Sequence, residues 1–317
     1  MSWSLYRWVW QLESPLFIGM PPSGSLNRCR LYVPARTVWG ALTAELARKD
    51  SSDFPKYAEQ GKKLCEQARF TYLFPAELSE NRWVPWLPMF KPGEGLVWRR
   101  ETQKCEPDRV FRSRLLETRP ATAIEATADA AAEGSLRETE CISEFWRAED
   151  GGHAKPVGLV GCVFCRDDAI AGQISQIDRL FLGGDTRYGL GRVRKVGWEK
   201  ASDVFGAQPK LDQDAPCVCS DTVWAHASCG GKPAAMSRPC VCSDTVWAHA
   251  CQHDGGPRMI GALECLAGWD RADNGGLTRL KLYESPLWTP GSKTSGKAEA
   301  GWEITAHGFW QYHPQNP

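Results

Sequence analysis

Alternating apolar and polar residues near the start of the chain predict a strand over 5–12. Its apolar face carries four residues at a period of two: Tyr6, Trp8, Trp10 and Leu12. The spacing then changes to that of a helix, which we expect to begin at Thr37, a residue suited to an N-cap, and to end near 48. A Gly/Pro/Ser stretch, 19–25, and a basic segment, 26–36, lie between these two elements.

The middle of the chain predicts extended structure rather than long helices. Residues 70–100 are rich in Pro, Trp and Phe, which predicts short extended pieces joined by turns. Small Ala and Thr residues at 121–134 are typical of a flexible stretch or a hairpin tip. The segment 135–145 and the dense apolar run 156–166 predict two further strands.

A second amphipathic helix is expected over 168–181, with Asp168 as its N-cap. A glycine loop, 183–192, and a strand over 193–198 follow it. The predicted elements follow the order strand, helix, strands, helix and strand. This is the order of an α+β ferredoxin-like fold of the RRM type, here with long inserts. We expect this domain to span 1–200 and a smaller β-rich part to span 201–317.

Composition excludes some classes of function. Lys+Arg and Asp+Glu are both 38, so the chain does not coat nucleic acid by net charge, although local basic patches remain open. No run of about 18 apolar residues occurs, so we expect no membrane partner. The 13 cysteines are odd in number, and the first 19 residues lack a signal-peptide pattern. We therefore expect reduced thiols and a cytoplasmic location.

A duplicated block occupies 215–253. The sequence PCVCSDTVWAHA occurs at 216–227 and again, unchanged, at 239–250. Each copy, with the cysteine after it, offers four ligands suited to a structural, tetrahedral zinc ion. The candidate ligands are Cys217, Cys219, His226 and Cys229 in the first copy, and Cys240, Cys242, His249 and Cys251 in the second. The alternative is a duplicated surface insertion whose thiols have no function.

The glycine loop reads GGDTRYGLGR and lies between a predicted helix and a predicted strand. It matches neither the dinucleotide fingerprint nor the Walker loop, since both follow a strand and open a helix. Glycines would let the backbone approach a phosphodiester chain, arginines would donate to phosphates, and the tyrosine could stack on a base. The candidates are Gly183, Gly184, Arg187, Tyr188, Gly189, Gly191, Arg192 and Arg194. The alternative is a tight turn with solvated arginines.

The loop and its following valine, GGDTRYGLGRV, resemble the glycine-rich loop of the RAMP superfamily of CRISPR-associated proteins. Three other segments resemble that superfamily in the same order along the chain. They are SPLFIG at 14–19, LYVPARTVWGALTAEL at 31–46 and TAIEATADAAAEGSLRETECI at 122–142. The resemblance covers about 5–198 and implies a ferredoxin-like fold that binds RNA.

Within the superfamily the chain most resembles the Cas-five group of type III effector complexes. VPARTVWGAL and the segment from FTYLFPAEL to WVPWLPMF, 70–90, carry that likeness. It implies a non-catalytic, crRNA-binding subunit of an antiviral ribonucleoprotein that grips the repeat-derived 5′ handle. The implied partners are a large polymerase-like subunit and backbone RAMP subunits. The backbone-forming Cas-seven group is the alternative.

The resemblance also implies which other residues face RNA. Arginines flank the first loop and lie in the thumb insert expected at about 100–140, ahead of its possible hairpin: Arg28, Arg30, Arg36, Arg112 and Arg114. No histidine precedes His153, and the stretch 13–36 contains no Asp, with Asn27 as its nearest polar substitute. Both departures favour binding without cleavage and without any required cofactor.

Three alternatives stay open from the sequence. The first is a RAMP-type ribonuclease acting on CRISPR repeat or target RNA. The second is a zinc-stabilised interaction module. In the third, the duplicated block is translated array-like DNA, because its repeat and spacer lengths match those of a CRISPR array.

Overall fold

The structure is a computed structural model of the 317-residue chain. It describes residues 3–50, 54–100, 104–147, 153–211, 240–252, 256–270, 279–282, 285–295 and 300–313. Four α-helices lie in these ranges: α1 (Ala35–Lys49), α2 (Tyr57–Gln67), α3 (Asp108–Leu115) and α4 (Asp168–Ser175).

Short and long strands account for most of the remaining regular structure. In the first 200 residues they are β1 (Ser4–Leu12), β2 (Leu26–Asn27), β3 (Ala68–Phe70), β4 (Phe74–Ser79), β5 (Arg82–Lys91), β6 (Gly95–Arg100), β7 (Lys104–Pro107), β8 (Leu116–Ala121), β9 (Ile124–Glu125), β10 (Ala130–Ala131), β11 (Arg137–Ile142), β12 (Phe145–Trp146), β13 (Lys155–Cys165), β14 (Arg179–Phe181) and β15 (Arg192–Lys200).

The later strands are shorter. They are β16 (Gln208–Lys210), β17 (Cys240–Ser243), β18 (Met259–Ile260), β19 (Leu263–Glu264), β20 (Ala267–Asp270), β21 (Arg279–Leu282), β22 (Leu287–Trp288), β23 (Lys293–Thr294), β24 (Ala300–Ile304) and β25 (Trp310–His313).

The alternation predicted over 5–12 produces the central strand. Along β1, Trp8 and Trp10 are fully buried on the side that the helices cover. Trp8 stacks on Phe70 with ring centroids 5.8 Å apart. On the opposite side of the sheet, Val9 packs with Ala76 and Val160 in a small separate cluster. We call this opposite side the open face.

The sheet topology confirms the predicted α+β ferredoxin-like fold. The main sheet runs β14-β15-β1-β13-β4-β5-β6-β7, and β3 also pairs with β13. The four strands of the ferredoxin-like unit are β1, β3 with β4, β13 and β15, which gives a spatial order of 4-1-3-2. All of their pairings are antiparallel. Helices α1 and α4 occupy the two crossover positions, as the predicted order of elements requires.

Both predicted helices needed correction at their ends. Helix α1 begins at Ala35 after Pro34, and no side chain caps it, so Thr37 is not its N-cap. In α4 the cap is Asp167, whose side chain accepts from the amide of Ile170. The helix ends at Ser175 instead of 181 because β14 follows and pairs with β15, which leaves Phe181 half exposed.

The region between the two crossovers contains more helix than the sequence indicated. Helices α2 and α3 were not predicted. The extended pieces expected over 70–100 are β4, β5 and β6, which form an antiparallel meander. The Ala/Thr-rich stretch forms a small exposed hairpin of β9 and β10, next to the β2-β11-β8 sheet.

The later part of the chain packs against the first. Its main sheet is β16-β17-β24-β25, and its buried aromatic residues join the same core as β1. A Cβ at Gly308, whose φ is +75°, would lie 2.1 Å from the Cβ of Ala35, so a residue without a side chain lets this segment touch α1. Within the described residues, no helix is long and apolar enough to cross a membrane.

Candidate nucleic-acid interface

The glycine loop docks on the segment that follows β1. The amide of Gly184 donates to the carbonyl of Phe17 at 2.9 Å, and that of Gly191 donates to Pro15 at 2.7 Å. On the other side of this segment, Leu16 exchanges two backbone hydrogen bonds with Ile142 at the end of β11, both 2.8 Å. Three of the segments that the sequence singled out therefore meet in one place.

Two of the loop glycines are required by close packing inside the protein. Gly183 and Gly191 have φ values of +77° and +79°. A Cβ at Gly183 would lie 2.1 Å from the carbonyl oxygen of Phe17, and one at Gly191 would lie 2.0 Å from that of Leu182. The sequence suggested that these glycines let the backbone approach phosphate. In the structure they let the loop approach its own chain, and their contact with RNA stays a prediction.

Three arginines surround one carboxylate where β14, β15 and β1 meet. The Nε atoms of Arg179, Arg192 and Arg194 lie 3.5, 3.2 and 3.3 Å from the carboxylate oxygens of Glu13. Their side chains are 66%, 52% and 47% exposed, whereas that of Glu13 is 20% exposed. One negative charge faces three positive ones, so donor groups and positive charge remain directed to solvent.

The tip of the loop adds an aromatic ring beside this cluster. Tyr188 is 65% exposed, and the guanidinium of Arg137 lies over its ring, 4.7 Å from the centroid. Arg187, the residue before it, is exposed. We define the glycine-loop surface as Arg137, Arg179, Arg187, Tyr188, Arg192 and Arg194. Guanidinium groups beside an exposed ring are suited to phosphates and unstacked bases of single-stranded RNA.

Sequence reasoning missed two members of this surface. Arg179 fell inside the predicted helix 168–181, and its place opposite Arg194 became visible only through the pairing of β14 with β15. Arg137 opens β11 and lies 51 residues before Tyr188, whose ring it contacts. Arg179 lies only four residues before the first loop glycine. This short separation is the one signal in the sequence that could have placed Arg179 in the glycine-loop surface.

The other predicted arginines occupy different surroundings. Arg28 is half-buried and follows β2, which pairs in parallel with β11. Arg36 lies in the first turn of α1 and is half-buried. The Nε of Arg112 lies 3.0 Å from Asp108 on the same helix. These three stay predictions.

Arg30 and Arg114 are paired inside the protein. The side chain of Arg30 is 10% exposed and bonds Glu264. That of Arg114 is 13% exposed and bonds both Glu77 and Glu106, at 2.7 and 2.6 Å. Burial removes water from these two guanidinium groups, and the carboxylates take the place of water as their hydrogen-bond partners. We therefore leave both arginines out of the interface proposed below.

The second copy of the duplicated segment is part of the core. Cys240 and Cys242 lie in β17, and Cys251 follows the segment. His249 is fully buried, with Nδ1 2.8 Å from the hydroxyl of Tyr72 and Nε2 3.0 Å from Glu264. Since a carboxylate only accepts, a neutral ring donates from Nε2 to Glu264 and accepts at Nδ1 from Tyr72.

Burial determines the pKa of this histidine. Desolvation lowers the pKa of His249 below its ordinary value of 6.5, against the opposing effect of Glu264. Burial also raises the pKa of Glu264, but the hydrogen bond from His249 and the charge of Arg30 outweigh it, so that pKa lies below its usual range.

The described residues contain no group of three or more His, Cys, Asp or Glu side chains arranged to hold a metal ion. The first-copy ligands Cys217, Cys219, His226 and Cys229 lie outside the described residues. Zinc binding by the duplicated block therefore stays a prediction. The ten cysteines in the described part are free thiols, and burial raises the pKa of Cys162 and Cys165 to about 12.

Comparison with known proteins gives structural likenesses only. No family model matches the chain, and no curated protein matches it. A chain of the type III-B Cmr-beta assembly bound to cognate target RNA and AMPPnP is similar to it, with a TM-score of 0.46 and 12% identity over 91% of this chain and 85% of that one.

Two further solved chains are similar over less of the molecule. One, from Cmr-beta bound to cognate target RNA, has a TM-score of 0.39 and 10% identity over 61% of this chain and 96% of its own. The other is Cmr4, with a TM-score of 0.29 and 8% identity over 62% of this chain and 99% of its own. The function of this chain is therefore argued from its own residues.

Proposed function

We propose that the chain is an RNA-binding subunit of a RAMP-type CRISPR effector ribonucleoprotein, and that it holds crRNA on the glycine-loop surface. The observation that carries the proposal is the cluster of Arg179, Arg192 and Arg194 around the single carboxylate of Glu13. The exposed Tyr188 beside it offers a ring for a base. The ordered set of segments that resemble the superfamily supports the same assignment.

The finer form of the proposal is that the bound RNA is the repeat-derived 5′ handle in a type III complex. The sequence likeness to the Cas-five group supports this role over that of the Cas-seven group. A polymerase-like subunit and backbone RAMP subunits are then the proposed neighbours. In this role the chain works in the cytoplasm, where crRNA is made.

The proposed role is binding rather than cleavage. The carboxylate of Glu13 lies beside the glycine-loop surface, and three guanidinium groups surround it. A carboxylate already engaged by three cations suits a counter-charge better than a general base. Asn27 uses its amide to donate to the carbonyl of Glu138, which gives it a structural role.

The test is to express the chain with its neighbouring operon and to sequence the RNA that copurifies after nuclease trimming. We expect fragments that begin with one repeat-derived 5′ handle. The double variant Arg187→Glu/Arg192→Glu should lose them. Arg48→Glu is the matched control, since Arg48 is half exposed on α1 and pairs with Glu45. Recovery of random RNA, or of handle RNA by the double variant, would contradict the proposal.

A further inference from the structure

A second cationic site lies on the open face of the sheet, away from the glycine loop. A cavity of about 600 Å³ opens there between the β5–β6 meander and the segment after β15. Arg7 and Cys162, direct partners in the β1–β13 ladder, both line it. Glu13 comes directly after β1 and is six residues from Arg7, about 20 Å at the rise of a strand, so this cavity is separate from the arginines around Glu13.

The acids of this cavity already have partners. Glu199 accepts from Arg7 at 2.8 Å, and Arg7 also donates to the carbonyl of Trp83. Asp203 accepts from the amide of Gly206 at 2.6 Å and so caps a tight turn. The charge of Glu199 is therefore neutralised by Arg7, and the carboxylate of Asp203 is engaged in holding the turn at Gly206.

Three more cations line the same cavity: Arg82, Arg99 and Lys200. No ion pair to any of them is found among the described residues. Arg82 and Lys200 are exposed, and Arg99 is half-buried opposite Leu87 on the neighbouring strand. An unbalanced set of three donors around one concave site is suited to an anion with several acceptor oxygens.

One wall of the cavity is apolar and fixed in place. Phe205 lines it with a φ of +56°, a conformation rare for a bulky residue. Its ring meets Phe74 edge to face, with centroids 5.3 Å apart, and the backbone of Val204 and Ala207 exchanges two hydrogen bonds around it. Strained residues that their surroundings hold rigidly are concentrated at ligand sites. Val84, Pro85 and Leu87 add further apolar lining.

We propose that this open-face cavity binds a phosphorylated nucleoside, with the phosphate on Arg82, Arg99 and Lys200 and the nucleoside against Phe205. Its volume is within the range of pockets that enclose ligands of this size. The same chemistry comes from a free nucleotide or from the 5′-terminal nucleotide of an RNA strand. Binding of an RNA end rests on the proposed function, whereas binding of a free nucleotide is independent of it.

The experiment titrates the full chain by calorimetry with AMP, with ATP and with a short single-stranded RNA carrying or lacking a 5′ phosphate. The test variant is Arg82→Ala/Arg99→Ala, and the matched control is Arg48→Ala. Circular dichroism checks that each variant folds. A second test variant, Lys200→Ala, removes a cation from a different strand and keeps the test usable if the double variant unfolds.

Two results would support the site, and each of them identifies a different source of the ligand. Binding of AMP or ATP that weakens at least about tenfold in the test variants, but not in the control, supports a free nucleotide. The other result is that RNA with a 5′ phosphate binds more tightly than RNA without one, that the test variants abolish this preference, and that free nucleotides do not bind. It supports the 5′-terminal nucleotide of an RNA strand as the ligand. A glycine-loop variant, Arg192→Ala, should weaken binding of the two RNAs equally and leave nucleotide binding and the ratio of affinities for RNA with and without a 5′ phosphate unchanged. Failure of the proposed function therefore remains distinguishable. Absence of both effects, or equal affinity in all variants, would overturn the proposal.

Discussion

Two clusters of arginine in this protein differ in how their charge is balanced. On the glycine-loop surface, Arg179, Arg192 and Arg194 share the one carboxylate of Glu13 and are about half exposed. Between β4, β7 and α3, Arg114 bonds both Glu77 and Glu106 and is 13% exposed, and Arg100 and Lys104 pair with the same two glutamates. We call this second group the inner cluster, defined by Arg114, Glu77, Glu106, Trp86 and Trp146.

The aromatic surroundings of the two clusters differ in the same way. The guanidinium of Arg114 lies over the rings of both Trp86 and Trp146, 5.6 and 5.2 Å from their centroids. Tyr188 on the glycine-loop surface meets one arginine and is otherwise open to solvent. Arginine next to aromatic residues is therefore covered in one place and belongs to the proposed RNA surface in the other. Three cations share two carboxylates at the first place and one carboxylate at the second.

The largest expected effect is on the inner cluster. Arg114→Ala removes the covered cation that bonds both Glu77 and Glu106 and leaves them to Arg100 and Lys104, whose side chains are more exposed. We expect the free energy of unfolding to fall by about 3 kcal/mol, the lower end of the range for breaking a buried ion pair. Arg119→Ala, at an arginine 49% exposed and paired with Glu117, should cost under about 1 kcal/mol. Urea denaturation of both variants checks this, and equal losses would contradict the distinction between covered and exposed arginine.

The next effect concerns the loop that presents the exposed cluster. Gly191→Ala places a Cβ 2.0 Å from the carbonyl oxygen of Leu182 at a φ of +79°, so the loop must leave Pro15 and Phe17. We expect a fall in thermal stability together with loss of RNA binding. Gly189→Ala has a similar φ of +85° but open space around it, and should cost only about 1–2 kcal/mol. RNA binding that survives in Gly191→Ala would show that the loop conformation is not needed.

A smaller effect is expected when single surface arginines are removed. Arg192→Ala and Arg194→Ala should each weaken RNA binding and reduce the slope of log affinity against log salt by about 0.7, the single-strand value per phosphate contact. Their melting temperatures should stay close to that of the parent chain, since exposed pairs contribute little to stability. Fluorescence anisotropy at several salt concentrations measures the slope, and an unchanged slope would remove these residues from the interface.

The smallest effect extends the comparison to Arg30, another covered arginine, through its partner Glu264 and through His249, which bonds Glu264. Burial lowers the pKa of His249 in the folded state, so below about pH 6.5 the unfolded chain binds more protons. The stabilisation that the neutral, buried His249 contributes to the folded state is present above that pH and is lost as the pH falls. The melting temperature should drop between pH 7.5 and 5.5, and His249→Gln should reduce the drop. His153→Gln, at an exposed position, is the control and should not change it.

The strand pattern made the main fold predictable, whereas the ends of elements depended on tertiary contacts. The alternation of tryptophans predicted β1 because one face of that strand is buried throughout. The apolar spacing of 168–181 suggested one helix because Ile170, Ile174 and Ile177 are all buried. The chain nevertheless leaves the helix at Ser175, since an edge strand at Arg179–Phe181 completes the sheet.

The candidate site was predictable only in part for the same reason. The glycine loop and its own arginines are local in sequence, so a motif could find them. The positions of Arg137 and Glu13 depend on strand pairing, and the pairing of Arg30 and Arg114 depends on acids at 264, 77 and 106. The second copy of the duplicated segment supplies β17, a strand that the sequence pattern did not indicate.

The central claim, that RNA lies on the glycine-loop surface, is tested most directly by ultraviolet crosslinking of the purified ribonucleoprotein followed by mass spectrometry. Trypsin cuts after Arg187 and Arg192, so the peptide of 188–192 reports on Tyr188 alone among the aromatic residues. We predict that this peptide carries a crosslinked nucleotide. Crosslinks confined to other peptides, with this one recovered unmodified, would contradict the account.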